Sequence, residues 1–107
     1  MTNESFDNAI LELRRGVIVL AVLCNLGKEQ YGYSLINGLK DQGLEIDQGT
    51  LYPLLRRLES QGLLHSKWRI EADRPRRYYV LSDEGRGLLP QLKEEWNNIV
   101  SIMKKMI

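Results

Sequence analysis

Four leucines set the frame of this chain. Leu51, Leu54, Leu55 and Leu58 recur at i, i+3, i+4 and i+7, the spacing of one buried helix face, and Gly62 stops that helix. Asp47 is suited to cap its start by accepting backbone N–H groups. Pro53 is tolerated early in such a helix at the loss of one hydrogen bond. Upstream, Phe6, Ile10, Leu13 and Val17 step by 4, 3 and 4, so a first helix begins near Asn3 or Ser5. The apolar run at 17–24 reads as a central buried helix ending at Gly27, and Gly16 could allow a bend between the two. Leu35, Ile36 and Leu39 make the inner face of another helix, entered at Tyr31 and Tyr33 and ended by Gly43. Residues 44–46 read as a short strand or an extended linker.

After Gly62 the period changes. Leu64, Ser66, Trp68 and Ile70 alternate with His65, Lys67 and Arg69, the period of two that marks a strand. Residues 71–75 form a turn-like tip, and residues 76–81 return as a second β-prone run. Ser82 then caps a last helix whose first turn holds Asp83 and Glu84, favourable at the positive end of the helix dipole. Along it Leu89, Leu92, Trp96, Ile99, Met103 and Met106 step by 3, 4, 3, 4 and 3, an a/d seam. A partner helix is the natural cover for that seam. It could also fold back on the first helix of its own chain. Pro90 should kink this helix near its start. The expectation is a mainly α fold with a small β-hairpin. Specifically, it is a winged helix-turn-helix with an N-terminal helix over residues 1–81 and a long C-terminal dimerisation helix over residues 82–107.

The 107 residues allow one core, and 43% apolar content is ordinary for a folded chain. Net charge is only +1, but it is unevenly spread. Residues 56–77 carry seven basic and three acidic side chains, a balance of +4, whereas residues 1–55 carry four basic and seven acidic. The positive charge is therefore concentrated in the helix and hairpin. The leucine helix leaves Thr50, Tyr52, Pro53, Arg56 and Arg57 on its other side, a face suited to phosphate oxygens and base edges. So small a footprint implies two copies acting together.

Other chemistry is sparse. The apolar run at 17–24 is too short to span a bilayer, which takes about 20 apolar residues, so no membrane association and a cytoplasmic location are expected. The single Cys24, inside that run, reads as a buried inert thiol. His65 has no partner at metal spacing, and neither a metal nor a cofactor is expected. With one His, one Cys and no phosphate-cradling glycine loop, the chain does not read as an enzyme.

Three blocks in order, YGY at 31–33, GTLYPLLRRLE at 49–59 and RPRRYYVLS at 74–82, resemble the PadR family of transcriptional regulators, in its smaller subfamily with one helix after the wing. The resemblance implies a winged-helix homodimer, usually a repressor, bound to double-stranded DNA at a pseudo-palindromic operator. Carried over, its DNA face falls on Thr50, Tyr52, Pro53, Arg56 and Arg57, with Tyr31 and Tyr33 near the backbone and Arg74, Arg76 and Arg77 on the wing. Where many members have Gly-Gly or Gly-Arg at the tip, this chain has Asp73 before Arg74, an acid that weakens phosphate contact there. The dimer interface is expected at Phe6, Ile10, Leu89, Leu92, Trp96, Ile99, Met103 and Met106.

Trp68 and Trp96 also resemble the tryptophans of multidrug-sensing members, which regulate detoxification or transporter genes. Two Trp96 indoles facing each other across a two-fold axis would make a slot for a planar aromatic effector, with Glu94 and Glu95 favouring cations. Packed interface core is the plain alternative for Trp96. Trp68 is expected to prop the wing against the body. The rival to the whole reading is a winged helix used as a protein-interaction module, its basic face meeting an acidic partner.

Overall fold

In the computed structural model, which describes residues 3–107, the leucine face of the third helix is the centre of the core. The chain runs α1 (Asn3–Cys24), β1 (Gln30–Tyr31), α2 (Gly32–Asp41), α3 (Gln48–Ser60), β2 (Leu64–Glu71), β3 (Arg74–Leu81) and α4 (Asp83–Met106). Leu51, Leu54, Leu55 and Leu58 of α3 are all buried, together with Val22 and Leu23 of α1, Leu35 and Leu39 of α2, and Leu64 and Leu81 at the root of the hairpin. Asp47 caps α3 as its position suggests, its Oδ1 accepting the Thr50 N–H at 2.7 Å. Gly62, at φ +82°, ends it in the left-handed region that costs glycine nothing. The link from Leu44 to Asp47 forms no strand.

Several expectations are corrected. The first helical segment and the apolar run are one helix: α1 passes through Gly16 without a break and is continuous for 22 residues. It ends at Cys24, short of Gly27, and Cys24 is exposed rather than buried. Each residue turns the helix by about 100°, so the position after buried Leu23 points away from the core. The hairpin gains a third strand. β1 pairs antiparallel with β3, Gln30 opposite Tyr79 and Tyr31 opposite Tyr78, giving the order β1-β3-β2. Two residues are too few to leave a periodic trace. The tip is also tighter than the turn-like run at 71–75. Glu71 pairs with Arg74 and Ile70 with Pro75, leaving a two-residue turn in which Ala72 and Asp73 both have positive φ. That backbone matches the twist of paired strands, although Ala72 carries a left-handed conformation at about 1 kcal/mol.

The root of the hairpin joins α3 to α4. Ser82 Oγ donates to the Gly62 carbonyl at 2.6 Å and accepts the Gly85 N–H at 3.0 Å, and the Ser82 N–H donates to the Leu63 carbonyl at 3.0 Å. Leu81 N–H reaches the Leu26 carbonyl at 2.9 Å, so the end of α1 joins the same knot. Beyond this point α4 runs unbroken through Pro90. It leans on α1 and carries an exposed apolar flank that includes Ile99, Met103 and Met106.

Two glycines of α4 test this account against each other. A Cβ on Gly85 would collide with the Leu63 carbonyl, whereas one on Gly87 meets open space. Gly85→Ala should therefore cost about 1–3 kcal/mol. Gly87→Ala should add about 0.5–1 kcal/mol through helix propensity. Thermal unfolding of the two variants should move in opposite directions.

Candidate nucleic-acid interface

The helix that supplies the core also supplies the candidate site, because its outward positions cannot be buried at the same time. Thr50, Pro53, Arg56 and Arg57 are exposed and Tyr52 is half-buried. They fall into two grooves. Tyr52 and Arg56 face the hairpin, across a groove of about 400 Å³ that Trp68, Pro75 and Arg77 also line. Thr50, Pro53 and Arg57 face α1, across a groove of about 310 Å³ shared with Leu11 and Arg15. Arg15 was invisible as a site residue in the sequence, since its place beside α3 depends on how α1 crosses the core.

Gly32 explains the YGY block. It is buried, and a Cβ there would run into the Tyr52 ring, so the phenol of α3 packs directly against the backbone at the start of α2. Of the flanking tyrosines, Tyr33 is exposed in the first turn of α2. Tyr31 is half-buried in β1, edge-on to Tyr78 with ring centroids 5.5 Å apart.

The basic residues of the hairpin are less available than their number suggests. Arg77 Nη2 pairs with Glu59 Oε1 of α3 at 2.8 Å, and its Nε donates to Ser66 Oγ at 2.9 Å. Ser66 in turn donates to Glu59 Oε2 at 2.6 Å. This closed triangle ties both strands to α3. On the opposite face of the sheet, Glu29 of the loop before β1 pairs with Arg69 and, at 3.6 Å, with Lys67. Arg76 pairs with Glu71 at 3.3 Å and lies over the Tyr31 ring at 4.5 Å. Among the described residues, Arg56, Arg57 and Arg74 have no ion pair. Of the seven basic side chains in this segment, three are therefore free to meet an outside anion, and four hold the wing.

Two phenols share this environment. The Tyr78 hydroxyl is raised above its ordinary range, first by a hydrogen bond with Glu71 and then by burial. That of Tyr79 is raised by burial, against the opposing pull of Arg77. Both rings are neutral at physiological pH.

Trp68 departs from its expected role. It does not prop the wing against the body: it is 65% exposed, with the Arg77 guanidinium 5.8 Å from its ring. The other site candidates lie elsewhere. Phe6, Ile10, Leu89, Leu92, Trp96, Ile99, Met103 and Met106 lie on α1 and α4, Phe6 and most of the α4 set exposed, and Ile10, Leu89 and Leu92 half-buried. A groove of about 260 Å³ runs between the two helices, lined by Leu13, Gly16, Leu92, Trp96 and Ile99 among others. Among the described residues no cluster of His, Cys, Asp and Glu could hold a metal, and no helix is long and apolar enough to cross a membrane.

The family model described as the transcriptional regulator PadR-like family matches residues 19–91. The transcriptional regulator Rv3488 of Mycobacterium tuberculosis is 37% identical over 81 residues, which span 75% of this chain and 76% of the relative. The crystal structure of a PadR family transcriptional regulator from Eggerthella lenta superposes with a TM-score of 0.88 at 42% identity, covering 97% of this chain and 93% of that one. A PadR-like transcription factor from Bacteroides fragilis gives 0.77 at 30% identity, over 94% and 99% of the two chains. Match, identity and shared architecture agree, and the chain belongs to the PadR-like family of transcriptional regulators, which are not enzymes.

Proposed function

We propose that this regulator works as a cytoplasmic homodimeric repressor whose hold on its operator is adjusted by a planar aromatic ligand. The observation that carries the DNA half is the outward face of α3, where Arg56 and Arg57 stand unpaired between two grooves. Residues 1–81 act as the reading head. Tyr52, Arg56 and the neighbouring Thr50 and Pro53 meet base edges in the major groove, while Arg57 and the wing-tip Arg74 meet phosphates. Tyr31 and Tyr33 lie toward the backbone. Arg76 and Arg77, held by Glu71 and Glu59, orient the wing more than they neutralise DNA.

Residues 82–107 act as the pairing helix. The exposed Trp96, Ile99, Met103 and Met106 of α4, with Phe6 and Ile10 of α1, are an apolar surface that a second copy would cover. Pairing sets two α3 helices against half-sites about one helical turn apart, roughly 10 bp, and occupancy blocks transcription. The groove between α1 and α4 supports the ligand half. Gly16 leaves it open, Trp96 forms one wall, and Glu95 at its edge favours a cationic guest. A guest there changes the angle between the two heads and shifts the pair away from the DNA-competent spacing.

Footprinting on the gene's own upstream region, repeated over a salt series, tests the DNA half. With two phosphate-facing cations per protomer, the logarithm of affinity should fall against that of salt with a slope of roughly −3 to −5 for the dimer. Arg56→Ala should relax specificity at one position of each half-site, and Arg57→Ala should weaken all sequences alike and flatten the slope. No salt-sensitive retention at low salt would sink the repressor reading. For pairing, Ile99→Glu should move the sedimenting species from dimer to monomer and abolish operator binding; an unchanged dimer would remove α4 from the interface. For the ligand, planar aromatic cations should quench tryptophan emission in the wild type and much less in Trp96→Ala. Equal quenching in both would take Trp96 out of the account.

A further inference from the structure

The inner face of the hairpin holds an unexpected surface. Side chains alternate across a strand, so Ser66, Trp68 and Ile70 of β2 share one face with Pro75 and Arg77 of β3. Near the root this face is occupied, Ser66 and Arg77 being bound to Glu59. Beyond it, Trp68 is 65% exposed and Ile70 80% exposed, and Pro75, opposite Ile70, is exposed too. Three large apolar groups thus form a strip along the outer half of the wing. β2 is an edge strand, where proteins ordinarily place charges to discourage association. Its other face does so with Lys67 and Arg69.

We propose that Trp68, Ile70 and Pro75 form an apolar contact surface for the deoxyribose edges that wall the minor groove of the DNA flanking each half-site. The inference rests on the DNA-binding reading above and adds the chemistry of the wing's contact. Two observations favour this occupant. The strip continues into the groove that Trp68 and Pro75 share with Tyr52 and Arg56, so a strand lying in that groove meets the strip. Its inner end is marked by an unpaired cation, Arg56 on α3, whereas Arg74, opposite Glu71, leaves the tip from the other face. The other guanidinium on the inner face, Arg77, is spoken for by Glu59. A strip of apolar carbon beside a free positive charge suits a sugar-phosphate strand, apolar along its deoxyribose and anionic at its phosphates. The Arg77 guanidinium, itself paired with Glu59, lies 5.8 Å from the Trp68 ring at the inner end of the strip.

Fluorotryptophan-labelled protein tests this directly. It should give two fluorine resonances, with that of Trp68 identified by its loss in Trp68→Phe. On adding an operator duplex with several base pairs beyond each half-site, the Trp68 resonance should shift and lose its solvent-isotope sensitivity. A duplex trimmed to the half-sites should leave it unchanged. Trp68→Ser and Ile70→Ser should each bind the long duplex roughly a hundredfold more weakly, about tenfold for the apolar side chain lost from each of the two wings. Their salt slope should stay the same, because no counterion is released, whereas Arg74→Ala, which removes one cation from each protomer, should lower it by about two for the dimer. Wild-type affinity in both serine variants, or a Trp68 signal equally exposed in the complex, overturns the proposal while leaving the DNA reading intact. Protection of Trp68 that grows with protein concentration in the absence of DNA assigns the strip to a second copy and overturns it as well. If wild-type protein binds no duplex at all, the underlying DNA reading fails, and this proposal fails with it.

Discussion

The Ser82 hydroxyl stands where α3 ends, β3 ends and α4 begins, and the geometry of the molecule depends on it. It donates to the Gly62 carbonyl just beyond α3 and accepts the Gly85 N–H in the first turn of α4. One oxygen thus satisfies an acceptor from the close of one helix and a donor from the start of another, both of which would otherwise be left without partners. Ser82 is itself buried, so water cannot substitute, and losing the hydroxyl would strand both groups. Gly85 is required beside it because the Leu63 carbonyl occupies the space where a side chain would stand. The direction in which α4 leaves the wing is therefore fixed relative to α3.

A second constraint acts on the wing. Its two faces are held by carboxylates from different parts of the chain, Glu59 from α3 on the inside and Glu29 from the loop before β1 on the outside. An isolated two-stranded hairpin is marginal in water. Here the third strand and the two carboxylates give it a defined angle. The cost falls on charge: guanidinium groups used to hold the hairpin are withdrawn from any outside anion. That division of labour accounts for a wing that is rich in arginine but presents carbon on the outer half of its inner face.

Much of the fold was legible because its signals are local. The leucine face of α3, the Asp47 and Ser82 caps, Gly62 as a terminator and a strand from Leu64 all appear as predicted, each depending on neighbours within a few residues. The misreadings have equally physical origins. Gly16 could allow the helix to bend, but α1 runs through it unbroken, and the missing side chain opens onto a groove. Cys24 inherited burial from the apolar run around it, although a helix turns each successive residue to a new side. β1 is too short to have a period. The tip is closed by Ala72 and Asp73 in left-handed conformations that neither residue advertises as glycine would.

The candidate site divides in the same way. The sequence by itself determined which residues α3 turns outward, because a helix that buries every third and fourth position must expose the rest, and it determined that positive charge gathers between residues 56 and 77. It could not determine which of those charges are free. Arg77 and Glu59 are 18 residues apart, and Glu29 is farther still from Arg69, so their pairing exists only once the hairpin folds back against α3 and β1. Nor could it tell that Trp68 stands exposed while Arg15 comes to lie beside Thr50 and Arg57. Periodicity records which way a side chain leaves its own element. Only tertiary packing decides what, if anything, it meets there.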